Sequence, residues 1–167
     1  MNLNREAQFP FLIDKRGYRV GIEVGVDHGM FSEVLLRRSG LEVLYSVDSW
    51  ANEVGLARVN EVAERLRRFG PRSRIRQCTS AEFAASMIPG QADFVYLDAD
   101  HSYESVVEDI AMYWPIVRSG GCLAGHDYGE RRHKRGVLNA VNEFVAREGL
   151  ALHLTTEDCV SWYVFKP

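Results

Sequence analysis

The stretch Tyr96-Leu-Asp98-Ala-Asp100-His101-Ser102-Tyr103 sets two carboxyls, an imidazole and a phenol directly behind an apolar run. A second such cluster, Gly125-His126-Asp127-Tyr128, closes a later apolar run. Carboxyls and imidazoles move protons near neutral pH and ligate divalent cations. Two more acid-bearing segments follow apolar runs: Glu23-Val-Gly25-Val26-Asp27-His28-Gly29 and Asp48-Ser49-Trp50. Plain structural readings stand beside the chemical ones. Glycines supply positive-φ turns, and Asp48, Ser80 and Ser102 suit helix N-caps. Trp50, Tyr103 and Tyr128 serve equally as packing aromatics.

The elements that must position these groups follow from hydrophobic periodicity. Apolar runs at 18–26, 42–50, 73–80, 92–100 and 122–128 read as strands. Helical spacing appears at 31–40, 53–70, 81–88, 102–117 and 136–149, with Gly40 and Gly70-Pro71 as stops and Gly120-Gly121 as the turn into the fifth strand. Strand and helix alternate five times, and the strands are apolar without strict alternation. That pattern predicts a parallel sheet covered on both faces, a doubly wound α/β sandwich. The closing segments 150–156 and 160–167 have no helix between them, so they form an antiparallel hairpin at one edge.

The chain has 167 residues, one domain's worth, with 1–17 as a short N-terminal extension. A formal charge of −3 offers no basic field for nucleic acid. The basic run Glu130-Arg-Arg-His-Lys-Arg135-Gly136 is local and reads as a solvated loop. No apolar run is long enough to span a bilayer, and the charged N-terminus lacks a signal peptide's apolar centre. Cys78, Cys122 and Cys159 form no metal-type pair. A reduced, cytoplasmic protein is expected.

In open parallel sheets ligands sit beyond the carboxyl ends of the strands. Four of the five tips here bear a carboxylate. The first loop, Gly25-x-x-x-Gly29, departs from the G-x-G-x-x-G of a nicotinamide site, and Glu23 and Asp27 would repel a pyrophosphate. The same charge suits a cationic ligand such as S-adenosylmethionine, with Asp48 placed to accept both ribose hydroxyls.

The segments I22-EVGVDHGMFSEVL, S46-VDSW, Y96-LDADHSYESVVEDIAMYWPIVRSGGCLAGHDY and the closing SWYVFKP resemble a class I S-adenosylmethionine-dependent methyltransferase. Within that class the pair D-x-D-H-x-Y and G-H-D-Y is similar to the small-molecule O-methyltransferases. The resemblance covers the chain from residue 18 and implies a Rossmann-like seven-stranded sheet of order 3-2-1-4-5-7-6. It implies that Glu23, Gly25, Val26, Asp27 and Gly29 surround the methionine part of the cofactor, that Asp48, Ser49 and Trp50 lie along ribose and adenine, and that Ser80 and Ala81 touch the adenine. Asp98 borders the same cofactor. In that order the tips of strands four and five are neighbours, about 5 Å apart. By analogy Asp98, His126 and Asp127 would hold Mg²⁺ or another divalent ion, and Asp100 or His101 would take the acceptor's proton. His126 replaces an acid of the metal-dependent relatives, and imidazole suits Zn²⁺, Fe²⁺ or Mn²⁺ better than Mg²⁺. Without a metal, His101 or His126 serves as the base.

No Asn/Asp-Pro-Pro-aromatic run follows strand four, which disfavours nucleic-acid bases; a small hydroxylated acceptor is expected. The short extension leaves a lid to the 129–135 loop or to a second subunit, hence a homodimer. Two rival readings are a non-catalytic cofactor-binding module of the same fold and an NAD-dependent oxidoreductase.

Overall fold

The computed structural model describes residues 4–51, 53–129 and 135–167. The apolar runs become β1 (Val20–Val24), β2 (Val43–Asp48), β3 (Ser73–Gln77), β4 (Ala92–Leu97), β5 (Val117–Gly125), β6 (His153–Leu154) and β7 (Trp162–Phe165). They form one sheet in the order β3-β2-β1-β4-β5-β7-β6, the order the resemblance implies. The pairs from β3 to β5 are parallel; β7 runs antiparallel to β5 and to β6.

Helices α1 (Arg5–Arg16), α2 (Met30–Arg38) and α3 (Glu53–Leu66) cover one face, and α4 (Ser80–Ser86), α5 (Tyr103–Tyr113) and α6 (Arg135–Glu148) the other. β4 shows how the two layers form. Successive side chains point to opposite faces of a strand, so Phe94 and Tyr96 join Phe9, Phe31 and Leu35 while Val95 and Leu97 join Ile110, Tyr113 and Phe144. Both faces of β4 are apolar, and it is the central strand of the sheet behind Asp98. Among the described residues no helix is long and apolar enough to cross a membrane.

The structure departs from the sequence reading in two elements. Residues 5–16, expected as a bare extension, form α1. Asn4 caps it by accepting from the Ala7 N–H at 3.1 Å, and Gly17 ends it in a left-handed turn. Pro10 inside this helix has no N–H for the Glu6 carbonyl, which accepts instead from Arg38 Nη1 at 3.3 Å. Burial of Phe9, Leu12 and Ile13 outweighs the proline. The second departure is β5, which begins at Val117 and carries Gly120-Gly121 inside it. Ala92 pairs with Val117 but Phe94 with Cys122, so the two glycines absorb an irregularity in the ladder rather than ending a turn. The strands also stop short of the ends of the apolar runs, leaving Asp98, His126 and Asp127 just past strand ends. Residues 130–134 of the basic run, and with them most of the expected lid loop, lie outside the described residues.

Candidate active site

The site begins with the turn after β1. Asp48, the last residue of β2, accepts the Val26 and Asp27 N–H groups on Oδ2 at 2.8 and 3.0 Å and the Trp50 N–H on Oδ1 at 3.0 Å. Its carboxylate thus fastens the glycine loop to the neighbouring strand, and about one of its roughly four lone-pair positions is left for a ligand hydroxyl. Gly25 has φ +86°, and a Cβ there would collide with the Asp98 carbonyl, so glycine alone brings β1 and β4 tips this close. Asp27, Trp50 and Asp127 also have positive φ (47°, 40° and 57°), and each lies two or three residues past a strand end. Backbone strain of this kind gathers at ligand sites.

Two cavities meet at Gly25 and Asp98. A cleft of about 470 Å³ is lined by Gly25, Asp48, Ser49, Ser80, Asp98 and Asp100, among others. On the other side a cavity of about 360 Å³ is bounded by Arg5, Glu23, Val26, His28, Phe31 and Asp98. Gly25, Asp27 and Asp98 belong to both. A larger depression, about 770 Å³, lies elsewhere among Glu33, Glu61, Glu64, Arg65, Arg67 and Arg68. It is a field of ion-paired surface charges away from every strand tip, so size does not identify the site.

The chemistry centres on Asp98. Its Oδ2 meets Arg5 Nη1 at 3.0 Å; its Oδ1 lies 3.4 Å from His101 Nε2 and 3.5 Å from His126 Nδ1. Asp127 Oδ2 lies 3.4 Å from His101 Nδ1 and 3.6 Å from His126 Nδ1. Burial works to raise the Asp98 carboxyl, but the two imidazoles and Arg5 outweigh it and hold it at about 2. His101 is raised above the ordinary histidine value, first by its hydrogen bond to Asp98, against its own burial, then by the charge of Asp127. Glu23 behaves oppositely. It is 2 % exposed, and burial pushes it up to about 8 although Ser32 Oγ donates to it. The negative charge expected from Glu23 in the first loop is therefore largely suppressed at neutral pH.

The remaining expected residues divide. Ser80 Oγ donates to Asp109, a buried acid that burial raises, while Ala81 is exposed one residue into α4. Asp100 Oδ1 accepts the Ser102 N–H at 2.7 Å, which lowers its carboxyl, and Ser102 caps α5. Trp50 is 6 % exposed, with its Nε1 donating to the Asp27 carbonyl at 3.1 Å; it packs beneath the loop with Val26 and Phe31. Tyr103 and Tyr128 turn their hydroxyls to Glu143 and Asn142 of α6, at 2.5 and 2.9 Å. Gly29 caps the start of α2 against Val62. Arg5 is the functional candidate that the sequence reading missed. The Asn4 cap, the Glu6 first turn and the Lys15-Arg16-Gly17 close were the signal for the helix that carries it.

The donor set suits the groups the fold implies. For S-adenosylmethionine the cleft supplies Asp48 and a glycine turn, with no basic cluster for a pyrophosphate. For a divalent ion, Asp98, His101 and Asp127 each offer an atom within 4.8 Å of the others. Mixed carboxylate and imidazole donors favour a metal that accepts nitrogen.

Comparison with known proteins agrees with this architecture. The chain resembles a Staphylococcus aureus protein provisionally assigned as a caffeoyl-CoA O-methyltransferase, with TM-score 0.77 at 14 % identity over 98 % of this chain and 84 % of that one. The O-methyltransferase TomG of Streptomyces achromogenes, involved in tomaymycin synthesis and determined with SAM, superposes with TM-score 0.70 at 15 % identity, over 94 % and 77 %. A Clostridium thermocellum protein provisionally assigned as an rRNA methylase gives 0.73 at 12 %, over 100 % of both chains. Uncharacterized protein R132 of Acanthamoeba polyphaga mimivirus is 36 % identical over 59 residues, 35 % of this chain and 27 % of that protein. The match therefore spans about a quarter of that relative's length. The likenesses in structure establish fold, and fold does not choose the acceptor. A sequence profile described as methyltransferase domain matches residues 22–128, most of the chain and all of the strand tips described above, and the chain belongs to that methyltransferase family.

Proposed function

We propose that this protein transfers a methyl group from S-adenosylmethionine to an oxygen of a small hydroxylated acceptor, with His101 as the base. The observation that carries the reading is the junction at Gly25 and Asp98. A cleft with Asp48 on its wall there adjoins an imidazole held between two carboxylates. The bound cofactor would supply an electrophilic methyl group. Gly25, Asp48, Ser49 and Ser80 bind and orient it along the cleft. Asp98 holds the His101 ring through its hydrogen bond to Nε2, which leaves Nδ1 to accept the proton. The charge of Asp98 and of Asp127, 3.4 Å from Nδ1, stabilises the imidazolium that forms.

A divalent ion held by Asp98, His101 and Asp127 would supply positive charge at the same point, and His126 stands close enough to join them. His101 cannot be both ligand and base, so the two versions separate experimentally. The acceptor class rests on the −3 charge, which offers no broad basic field, and on the likeness to O-methyltransferases rather than on any feature selective for RNA.

The test is binding of S-adenosylhomocysteine by calorimetry, then transfer of labelled methyl to a panel of phenols, catechols and sugars after chelator treatment. Binding plus transfer without metal supports His101 as base. Transfer restored only by an added divalent ion moves His101 into the ligand set. Wild-type protein that fails to bind S-adenosylhomocysteine at millimolar concentration sinks the reading.

A further inference from the structure

The cavity beside the glycine loop has acids on its walls and one guanidinium, Arg5. That guanidinium is built in by a closed ring of hydrogen bonds. The Arg5 backbone N–H donates to Glu157 Oε2 at 2.8 Å. Ser161 Oγ donates to Glu157 Oε1 at 3.2 Å and lies 2.9 Å from the Tyr96 hydroxyl. Arg5 Nη1 closes the ring on that hydroxyl at 3.3 Å and also meets Asp98 Oδ2 at 3.0 Å. The guanidinium carbon stands 4.9 Å from the Phe31 ring centroid, which holds its flat face. An ion pair with Asp98 would need none of these other supports. Both side-chain bonds run from Nη1, and the Nε–Nη2 edge makes no hydrogen bond to a described residue. A planar edge of this kind matches a carboxylate with two parallel N–H bonds.

We propose that Arg5 binds the carboxylate of the cofactor's methionine portion through that edge, making this N-terminal residue a specificity determinant for ligands with an intact amino-acid end. The inference rests on the S-adenosylmethionine reading above. Its charge logic is that of a zwitterion: Arg5 meets the carboxylate, and Asp98 of the same cavity meets the ammonium.

Calorimetry with S-adenosylhomocysteine and its analogue lacking the carboxylate tests it. Wild-type protein should prefer the complete ligand by about 10- to 100-fold, the value of charge-assisted hydrogen bonds. Arg5→Gln should lose that preference while binding the analogue as wild type does, and Arg5→Lys should keep part of it. Equal loss for both ligands in Arg5→Gln would mark a structural role and overturn the assignment. If Arg5→Gln does not fold, the wild-type preference alone decides: equal affinity for the two ligands overturns the proposal. Binding of neither ligand to wild type sinks the cofactor reading and this inference together. Tight, equal binding of both sinks only the role of Arg5.

Discussion

The imidazoles of His101 and His126 each lie within 3.6 Å of both Asp98 and Asp127, but they are not equivalent. His101 touches an acid through each ring nitrogen, whereas His126 approaches both acids through Nδ1 alone. Asp98 fixes the His101 ring through Nε2, and Asp127 stands where it can pair with the N–H that forms when Nδ1 takes the proton. His101→Gln is therefore expected to lower labelled-methyl transfer about 100- to 10,000-fold with S-adenosylhomocysteine affinity within about twofold of wild type. An equal fall in His126→Gln would remove the distinction. Glu23 gives a second prediction, in stability. Its ordinary value is 4.5 and its folded value about 8. Between those limits the folded chain holds a proton that the unfolded chain has released, so stability falls as pH rises through the window and levels off above it. Urea midpoints of Glu23→Gln should lack this component of the slope between pH 5 and pH 8; a parallel slope would assign it to other groups.

α1 shows how a helix at the chain start becomes part of the site. Phe9 packs edge-on to Tyr96 at 5.3 Å and to Tyr163 at 5.7 Å, and Gln8 Nε2 donates to the Tyr163 hydroxyl at 3.2 Å. These contacts tie the helix to β4 and β7 and set the place of Arg5. Phe9→Ala should cost about 3–5 kcal/mol in urea unfolding. A loss below about 1 kcal/mol would mean that α1 is only loosely attached. The same element shows where the sequence was readable and where it was not. Parallel strands buried on both faces announce themselves by unbroken apolar runs, so β1, β2, β4 and the layer order could be foreseen. Their tips, hence Asp48, Asp98 and Asp127, followed from that order. α1 was obscured by Pro10, a local stop signal overridden by burial of Phe9, Leu12 and Ile13. Gly120-Gly121 misled for the converse reason, since a turn signature also serves an irregular strand. The outward turn of Tyr103 and Tyr128 to α6 depends on the α5–α6 packing, which no local pattern encodes.

At the scale of the whole molecule the sheet has a chemical polarity. Acids gather at its carboxyl end, Asp48 and Asp98 on the cleft wall and Asp127 beside Asp98, in keeping with ligand sites of open α/β sheets. The opposite end carries a half-buried acid with a different task. Asp93, within β4, accepts the Arg19 and Val20 N–H groups on Oδ2 at 2.8 Å each and is paired with Arg118, so it joins β1, β4 and β5 where they enter the sheet. Burial works to raise its carboxyl, but those backbone donors and Arg118 outweigh it and leave it lowered. An acid lowered by folding stabilises above its ordinary value, 3.8, and that contribution is lost as pH falls through the folded value. The two ends should therefore separate in mutants. Asp93→Ala is expected to cost about 2 kcal/mol at neutral pH by leaving its partners unpaired, with S-adenosylhomocysteine affinity unchanged once the folded fraction is taken into account. Asp48→Ala should reduce that affinity about tenfold or more, because it removes the staple of the glycine loop as well as a ligand acceptor. Calorimetry and urea unfolding on the two variants read both quantities. An Asp93 variant that binds weakly would show that the ends are coupled through β4, and the division between a structural and a chemical end would fail.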